Sequence, residues 1–171
     1  MFIQKKIFDK EQCERIKALI NEEYKGYSYT NLKGALTFEQ YKILDDTDNK
    51  WFLDIFKNFI YDSTKTIVND IKIDVQILKY NVGDYFPKHT DIDSANSHKR
   101  IYTIGILLND DFDGGDLIVY EENKKNILKK ESGISYIFAA SLAHEVQKIT
   151  NGIRYVLIAH LRNTEVKKTL M

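Results

Sequence analysis

The sequence contains a single cysteine, Cys13, and no long apolar run among its 171 residues. An internal disulfide is therefore excluded, which is typical of proteins in a reducing compartment. The beginning of the chain has no apolar stretch of signal-peptide length, because Lys5 and Lys6 interrupt it. No segment approaches the length of a membrane span. We therefore expect a soluble, cytoplasmic protein that has no membrane partner.

The sequence also has no excess charge of either sign. Its formal net charge is zero, because 25 Lys and Arg residues balance 25 Asp and Glu residues. Nucleic-acid-binding proteins normally carry a basic excess, since contacts with phosphates supply much of their affinity. We therefore expect no nucleic-acid partner. The length favours one domain over residues 1–171, and the chain has no Pro/Gly-rich linker that would divide it. The sequence leaves the oligomeric state open.

The first 70 residues are expected to be a largely helical support. Asp9 can cap a helix over residues 11–24, in a capping-box arrangement. A second helix is predicted over residues 50–68, where large apolar residues recur every three to four positions. Residues 26–49 show no clear periodicity, and we interpret them as a loop with one short strand.

Residues 71–165 consist of short β-rich runs separated by turn residues, such as NDDFDGGD and TNG. About seven such runs predict a sandwich or barrel and not alternating strands and helices. The expected fold class is α+β. It is mainly β, with the N-terminal helices packed against the outside of the β core.

A possible metal site begins with His89 and Asp91, which are separated by one residue in a predicted strand. Their side chains would point to the same face, about 7 Å apart along the strand. Two histidines and one carboxylate form the facial triad of non-haem Fe(II) oxygenases, which leaves positions open for other ligands. His144 is our choice for the third ligand, because it follows an apolar strand, whereas His98 lies in a polar loop.

Arg154 lies in the apolar strand GIRYVLIAHL, where an unpaired charge would be costly. Its guanidinium requires an anion there, and its geometry suits a carboxylate. That carboxylate belongs either to a ligand or to an acidic residue of the protein itself.

These features occur together in YNVGDYFPKHTDID, RIYTIGILLND, FDGGDL and HEVQKITNGIRYVL. The combination resembles the prolyl 4-hydroxylase-like branch of the Fe(II)/2-oxoglutarate-dependent dioxygenases. The resemblance covers roughly residues 79–162. It implies a double-stranded β-helix, or jelly roll, as the core.

The resemblance also implies roles for individual residues. His89, Asp91 and His144 would bind iron, and Arg154 would bind the distal carboxylate of 2-oxoglutarate. The implied cofactors are Fe(II), 2-oxoglutarate and O2, with ascorbate as an optional addition. The implied reaction hydroxylates an unactivated C–H bond, most typically in a prolyl residue of a peptide or protein, and decarboxylates 2-oxoglutarate to succinate and CO2.

Two further residues match the co-substrate site of that family. Tyr80 aligns with a tyrosine whose hydroxyl helps to bind 2-oxoglutarate, although a core aromatic is an equally good interpretation. Thr103 lies on the strand RIYTIGILL and lines the same pocket in this interpretation. Gly114 and Gly115 match a glycine pair of the family and are expected to form a tight loop with positive φ.

The loop between the last two predicted strands determines whether His144 and Arg154 can face the same site. A three-residue loop over residues 150–152 would pair Ile149 with Ile153 and place His144 and Arg154 on one face. His160 shares the face of Arg154 but lies roughly 20 Å along the strand, so we interpret it as a structural histidine.

Three alternative functions remain open. The enzyme could hydroxylate a free amino acid or another small molecule, because fold alone does not determine the substrate. Nucleobase demethylation is less favoured, because the repair dioxygenases carry a second arginine where this chain has His160. A catalytically silent jelly-roll binding module is the third alternative.

Overall fold

A computed structural model of the protein describes residues 1–28, 38–42, 50–65, 73–92 and 100–162. Within these residues the helices are α1 (Lys10–Lys17), α2 (Lys50–Thr64) and a 3-10 helix at Glu22–Tyr24. The strands are β1 (Phe2–Lys6), β2 (Lys25–Ser28), β3 (Phe38–Lys42), β4 (Ile73–Tyr80), β5 (Phe86–His89), β6 (Arg100–Leu107), β7 (Asp113–Gly114), β8 (Leu117–Glu121), β9 (Lys124–Ile127), β10 (Ile134–Ala139), β11 (His144–Val146), β12 (Ile149–Asn151) and β13 (Arg154–Arg162). Neither described α-helix has the length and apolar character needed to cross a membrane.

The strands form two main antiparallel sheets. The major sheet has seven strands in the order β1-β10-β6-β13-β4-β3-β2, and the minor sheet has four in the order β5-β11-β8-β9. Strands β12 and β7 form a separate two-stranded ribbon. This arrangement confirms the expected mainly β fold with a double-stranded β-helix core and supporting helices.

The alternation of side chains along β13 shows how the major sheet separates two cores. Leu157 and Leu161 are buried with residues of α1 and α2 on the outer face of the sheet. Val156 packs with residues of the minor sheet on the inner face. Arg154 and His160 share the inner face and line a cavity there. The period-two pattern of the strand therefore places polar residues between the sheets, where a site can form.

The first helix is shorter than the sequence predicted. Helix α1 begins as predicted, because Asp9 and Gln12 form the capping box. It ends at Lys17, short of residue 24, because Asn21 caps the separate 3-10 helix by accepting a hydrogen bond from the amide of Glu23.

The expected loop over residues 26–49 contributes two strands. β2 and β3 pair with each other, and β3 pairs with β4, so that they extend the major sheet at one edge. β1 extends the opposite edge by pairing with β10. β2 and β3 are short and mostly polar, so the sequence showed no clear periodicity there. The pairing of β3 with the long strand β4 stabilises them. The rest of the predicted loop lies outside the described residues.

The predicted hairpin register at residues 150–152 is wrong. Ile149 pairs with Gly114 in the β12–β7 ribbon and not with Ile153. The glycine pair has positive φ as expected, and a Cβ at Gly114 would lie 2.2 Å from the carbonyl oxygen of Lys148. Glycine is therefore required where the two backbones approach.

Candidate active site

The side chains of His89, Asp91 and His144 meet between the two sheets. His89 and His144 are direct partners in the antiparallel pairing of β5 with β11, so their side chains share one face. Asp91 follows the end of β5 and is fixed by a 2.9 Å hydrogen bond from its amide to the carbonyl of Ala140. One potential ligand atom from each of the three residues lies within 4.8 Å of the others. The residues predicted from the H-x-D pattern and from the later histidine are thus brought together.

The two imidazole rings are held in the tautomer that suits metal binding. Nδ1 of His89 lies 2.8 Å from the carbonyl oxygen of Pro87, and Nδ1 of His144 lies 3.0 Å from that of Leu142. Because a carbonyl only accepts, each Nδ1 must carry the proton and donate it. Each Nε2 is then left with a lone pair that faces Asp91, at 3.4 Å from a carboxylate oxygen. Such hydrogen bonds at the second nitrogen are typical of metal-binding histidines.

The protonation states of the cluster also suit a cation. Burial disfavours the charged form of Asp91, but the neighbouring imidazoles of His160, His89 and His144 outweigh it, so the pKa of Asp91 is well below its ordinary value. Burial lowers the pKa of His144, against the opposing effect of Asp91. An ionised carboxylate beside neutral imidazoles is the donor set that a divalent metal needs.

His160 is part of this site, which corrects its interpretation as a remote structural histidine. Its Nε2 lies 3.6 Å from Oδ2 of Asp91. Thr103, its direct partner in the pairing of β13 with β6, donates a short hydrogen bond to the same oxygen. His160 and Arg154 lie on the same face of β13, and both line the cavity between the sheets.

Arg154 occupies the inner end of the cavity and is 1% exposed. Its Nε and Nη1 atoms have no hydrogen-bond partner, and no carboxylate among the described residues forms an ion pair with it. Within the described part of the chain, the alternative of an internal ion pair is therefore not realised. A buried guanidinium with unpaired N–H groups is a site for an anion.

Two tyrosines surround the Arg154 side chain. The ring of Tyr80 has its centroid 5.2 Å from Cζ of Arg154, and Tyr80 is the direct partner of Arg154 in the pairing of β4 with β13. The hydroxyl of Tyr136, on β10, interacts with the guanidinium. Burial raises the pKa of Tyr136 to about 12, although Arg154 opposes this effect. Both phenols are therefore neutral donors at physiological pH.

One cavity of about 380 Å³ connects these groups. Its lining includes the triad, Arg154 and every other residue predicted for the site, namely Tyr80 and Thr103. Although the hairpin register was wrong, His144 and Arg154 do face the same space, because they project from opposite sheets. The volume is within the range of small-molecule sites, roughly 300–1,000 Å³.

Sequence reasoning missed Tyr136 and His160. The sequence could have indicated His160, because it lies six residues after Arg154, and an even spacing places both side chains on the same face of β13. Tyr136 had none, since only the pairing of β10 with β6 brings it into the cavity. His98 and Asp93 lie outside the described residues.

The fold is that of known oxygenases. A viral collagen prolyl hydroxylase from Paramecium bursaria Chlorella virus-1, determined with 2OG, superposes with a TM-score of 0.72 at 16% identity and covers 96% of each chain. A Trichoplax adhaerens prolyl hydroxylase, in complex with a peptide fragment of the hypoxia inducible factor oxygen degradation domain, has a TM-score of 0.71 at 16% identity and covers 94% of this chain and 83% of that one.

Sequence similarity points to the same class of enzyme. A PKHD-type hydroxylase from Caulobacter is 29% identical over 108 residues, which are 54% of this chain and 46% of the Caulobacter protein. The chain spans only 24% to 50% of the length of the curated relatives that it matches. Together with the fold, these similarities confirm the resemblance to the Fe(II)/2-oxoglutarate-dependent dioxygenases and their prolyl hydroxylase-like branch.

The chain also matches the model of a protein family over nearly its whole length. The family described as Poxvirus C4/C10 protein matches residues 3–170, nearly the whole sequence. The chain therefore belongs to the Poxvirus C4/C10 protein family.

Proposed function

We propose that the protein is an Fe(II)- and 2-oxoglutarate-dependent oxygenase that hydroxylates a prolyl residue in a peptide or protein. The proposal is supported by the presence of two binding sites without a ligand in one cavity, one suited to a metal ion and one suited to an anion. At one end, the imidazoles and the carboxylate of the triad converge with their lone pairs inward. At the other, Arg154 presents buried N–H groups without a partner. A metal and a dicarboxylate would satisfy both ends.

The residues fit the metal and co-substrate that the fold implies. His89, Asp91 and His144 would hold Fe(II). Arg154, with Tyr80 beside it and with Thr103 on the same cavity wall near Asp91, would bind 2-oxoglutarate. When bound, iron and 2-oxoglutarate supply the oxidising chemistry, with release of succinate and CO2. The protein's own contribution is orientation and the exclusion of water. Thr103 and His160 hold one oxygen of Asp91, and the aromatic rings of Phe86 and Phe138 pack against the two histidines.

The choice of a peptide as substrate is supported by the relatives. The Trichoplax neighbour was determined with a peptide bound, and the viral neighbour is a collagen prolyl hydroxylase. Ile92 lines the cavity and is 49% exposed, so the cavity reaches the surface at this residue. A free amino acid is the second candidate substrate, and the cavity volume suits it equally.

The first experiment tests the cofactors without a substrate. Fe(II) and then 2-oxoglutarate are added to the metal-free protein under anaerobic conditions, and the weak visible charge-transfer band of the chelate is recorded. We expect the band in the wild type, its loss in His144→Ala, and a strongly raised 2-oxoglutarate requirement in Arg154→Met. Lys124→Gln, on the exposed strand β9, is a matched surface control and should leave the band unchanged.

A folded wild-type protein without this band would contradict the proposal and favour the silent binding module. If the band is present, oxidation of proline-containing peptides and of free proline is compared by mass spectrometry. Turnover of free proline alone would replace the peptide by the amino acid as substrate and would leave the cofactor assignment intact.

A further inference from the structure

The open end of the cavity carries a cluster of polar side chains that the proposed reaction does not use. Four residues, which we call the basic rim, contribute to it: Gln40, Lys42, Gln76 and Arg100. They come from three strands of the major sheet. Lys42 pairs directly with Gln76 across β3 and β4, and Gln40 lies two residues before Lys42 on the same strand. Arg100 begins β6.

The basic rim is continuous with the candidate active site. Gln40, Gln76 and Arg100 line both the main cavity and the adjoining groove at its mouth. His160, whose ring contacts Asp91, also lines both. A substrate with a C–H bond near the triad can therefore extend into this groove, where its remainder would lie on the basic rim.

The charges of the rim are not neutralised by the described part of the protein. Arg100 and Lys42 form no ion pair with any described residue, and the Nε atom of Arg100 is buried without a hydrogen-bond partner. By contrast, the neighbouring Lys25 is paired with Glu22 and Glu39. Among the described residues that line the groove, none is acidic.

An unsatisfied guanidinium at the edge of a cavity has a specific chemical preference. Its planar set of donors matches a carboxylate, which can accept two parallel hydrogen bonds. Leaving a buried N–H without an acceptor is costly, so the site gains from a ligand that supplies one. The side-chain amides of Gln40 and Gln76 can donate to the same group, and Lys42 adds a second positive charge.

We infer that the basic rim binds a carboxylate of the substrate and that the protein is therefore selective for acidic substrates. This inference rests on the proposed function and specifies its substrate class. In a peptide, the carboxylate would be an aspartate or glutamate side chain near the residue that is hydroxylated. In a small substrate, the same position would receive the α-carboxylate of a free amino acid.

The test uses capped pentapeptides with a central proline and with Glu, Gln or Lys at one of the other four positions. Binding to the 171-residue protein loaded with Mn(II) and 2-oxoglutarate is measured by calorimetry, and hydroxylation is measured with Fe(II). At one position, Glu should improve binding by about tenfold over Gln, the size expected for a charge-assisted hydrogen-bonded pair. Lys at that position should bind most weakly.

Charge reversal separates a specific contact from general attraction. Arg100→Glu should invert the order, so that the Lys peptide binds better than the Glu peptide, whereas Lys124→Glu on β9 should leave the order unchanged. Arg100→Gln provides a milder change and should remove the preference without reversing it. Unfolding temperatures of all variants show that each remains folded.

Two further substrates identify the source of the carboxylate. Proline peptides with a free C-terminus and free proline are compared with their amides, in the wild type and in Arg100→Gln. A preference for the free acids that Arg100→Gln removes would assign the rim to an α-carboxylate. Equal binding of Glu, Gln and Lys peptides and of acids and amides, or no binding of any of them, would overturn the inference. The cofactor experiment described above judges the proposed function separately.

Discussion

The ring of Tyr136 occupies the space over Gly105, its direct partner in the antiparallel pairing of β10 with β6. A Cβ atom at residue 105 would lie 2.3 Å from Cζ and from the hydroxyl oxygen of that ring. Only glycine at this position leaves room for a tyrosine that crosses its neighbouring strand. As a result, the Tyr136 hydroxyl reaches the guanidinium of Arg154 on β13.

Gly105→Ala should therefore weaken the co-substrate site without touching it directly. The added methyl group displaces Tyr136, which we expect to reduce the affinity for 2-oxoglutarate and to destabilise the fold by about 1–3 kcal/mol through overpacking. Affinity is measured by titration of the Fe(II)-loaded protein, and stability by urea denaturation. In Gly105→Ala/Tyr136→Leu, the smaller side chain should recover much of the stability but not the affinity. Normal affinity in Gly105→Ala would show that Tyr136 has no role in binding.

The charge of Arg154 should be required for 2-oxoglutarate binding but should not stabilise the folded protein. Its buried guanidinium has no ion pair among the described residues, and removal of an uncompensated buried charge is often neutral or stabilising. We expect Arg154→Met, which keeps much of the volume, to unfold at the same temperature as the wild type or higher, while 2-oxoglutarate binding is lost. A large decrease in unfolding temperature would instead assign a structural role to Arg154.

His160 should contribute to metal affinity through Asp91. Its ring nitrogen and the Thr103 hydroxyl both approach Oδ2, and loss of such supporting contacts typically reduces metal affinity about tenfold to a hundredfold. We expect His160→Ala to weaken Co(II) binding, measured by the visible spectrum of the bound ion. His160→Gln retains a donor and should retain more of the affinity. If both variants bind Co(II) like the wild type, His160 does not position Asp91.

Glu39 should make the stability of the β3 edge dependent on pH. It accepts hydrogen bonds from Tyr41, Lys79 and Asn81, and these contacts, with the Tyr41 bond foremost, lower its pKa from 4.5 to about 2. Between these values the unfolded chain binds more protons than the folded protein. The stabilisation is therefore complete above pH 4.5 and is lost as the pH falls to about 2.

Glu39→Gln should accordingly lower the free energy of unfolding by about 1–2 kcal/mol at pH 7. The difference from the wild type should disappear near pH 2, which denaturant titrations at several pH values will detect. Glu22→Gln is the matched control, because Glu22 also contacts Tyr41 and Lys25 but its side chain is 71% exposed. Its effect should be much smaller.

The sequence was sufficient for those features that depend on local patterns. The β-rich runs between turn residues predicted the long strands β4, β6 and β13. The spacing of His89 and Asp91 and the position of Arg154 in an apolar run predicted the residues that the fold brings together. These signals are strong because a buried charge or a strand period constrains the sequence directly.

Features that depend on pairing between distant segments were not predictable in the same way. The partner of β12 proved to be β7 and not β13, because the intervening turn allows either pairing and only the assembled sheets decide between them. The contacts of Thr103 and His160 with Asp91 were missed for the same reason, although Thr103 was expected in the pocket. These two residues are separated by 57 positions in sequence but are direct partners in the sheet.

The placement of the two ends of the cavity on opposite sheets has a consequence for ligand length. His89 and His144 belong to the minor sheet, whereas Arg154, Tyr80 and Tyr136 belong to the major sheet. Under the proposed function, a dicarboxylate that spans them must match the gap between the sheets. We therefore expect a diacid one methylene shorter or longer than 2-oxoglutarate to bind more weakly.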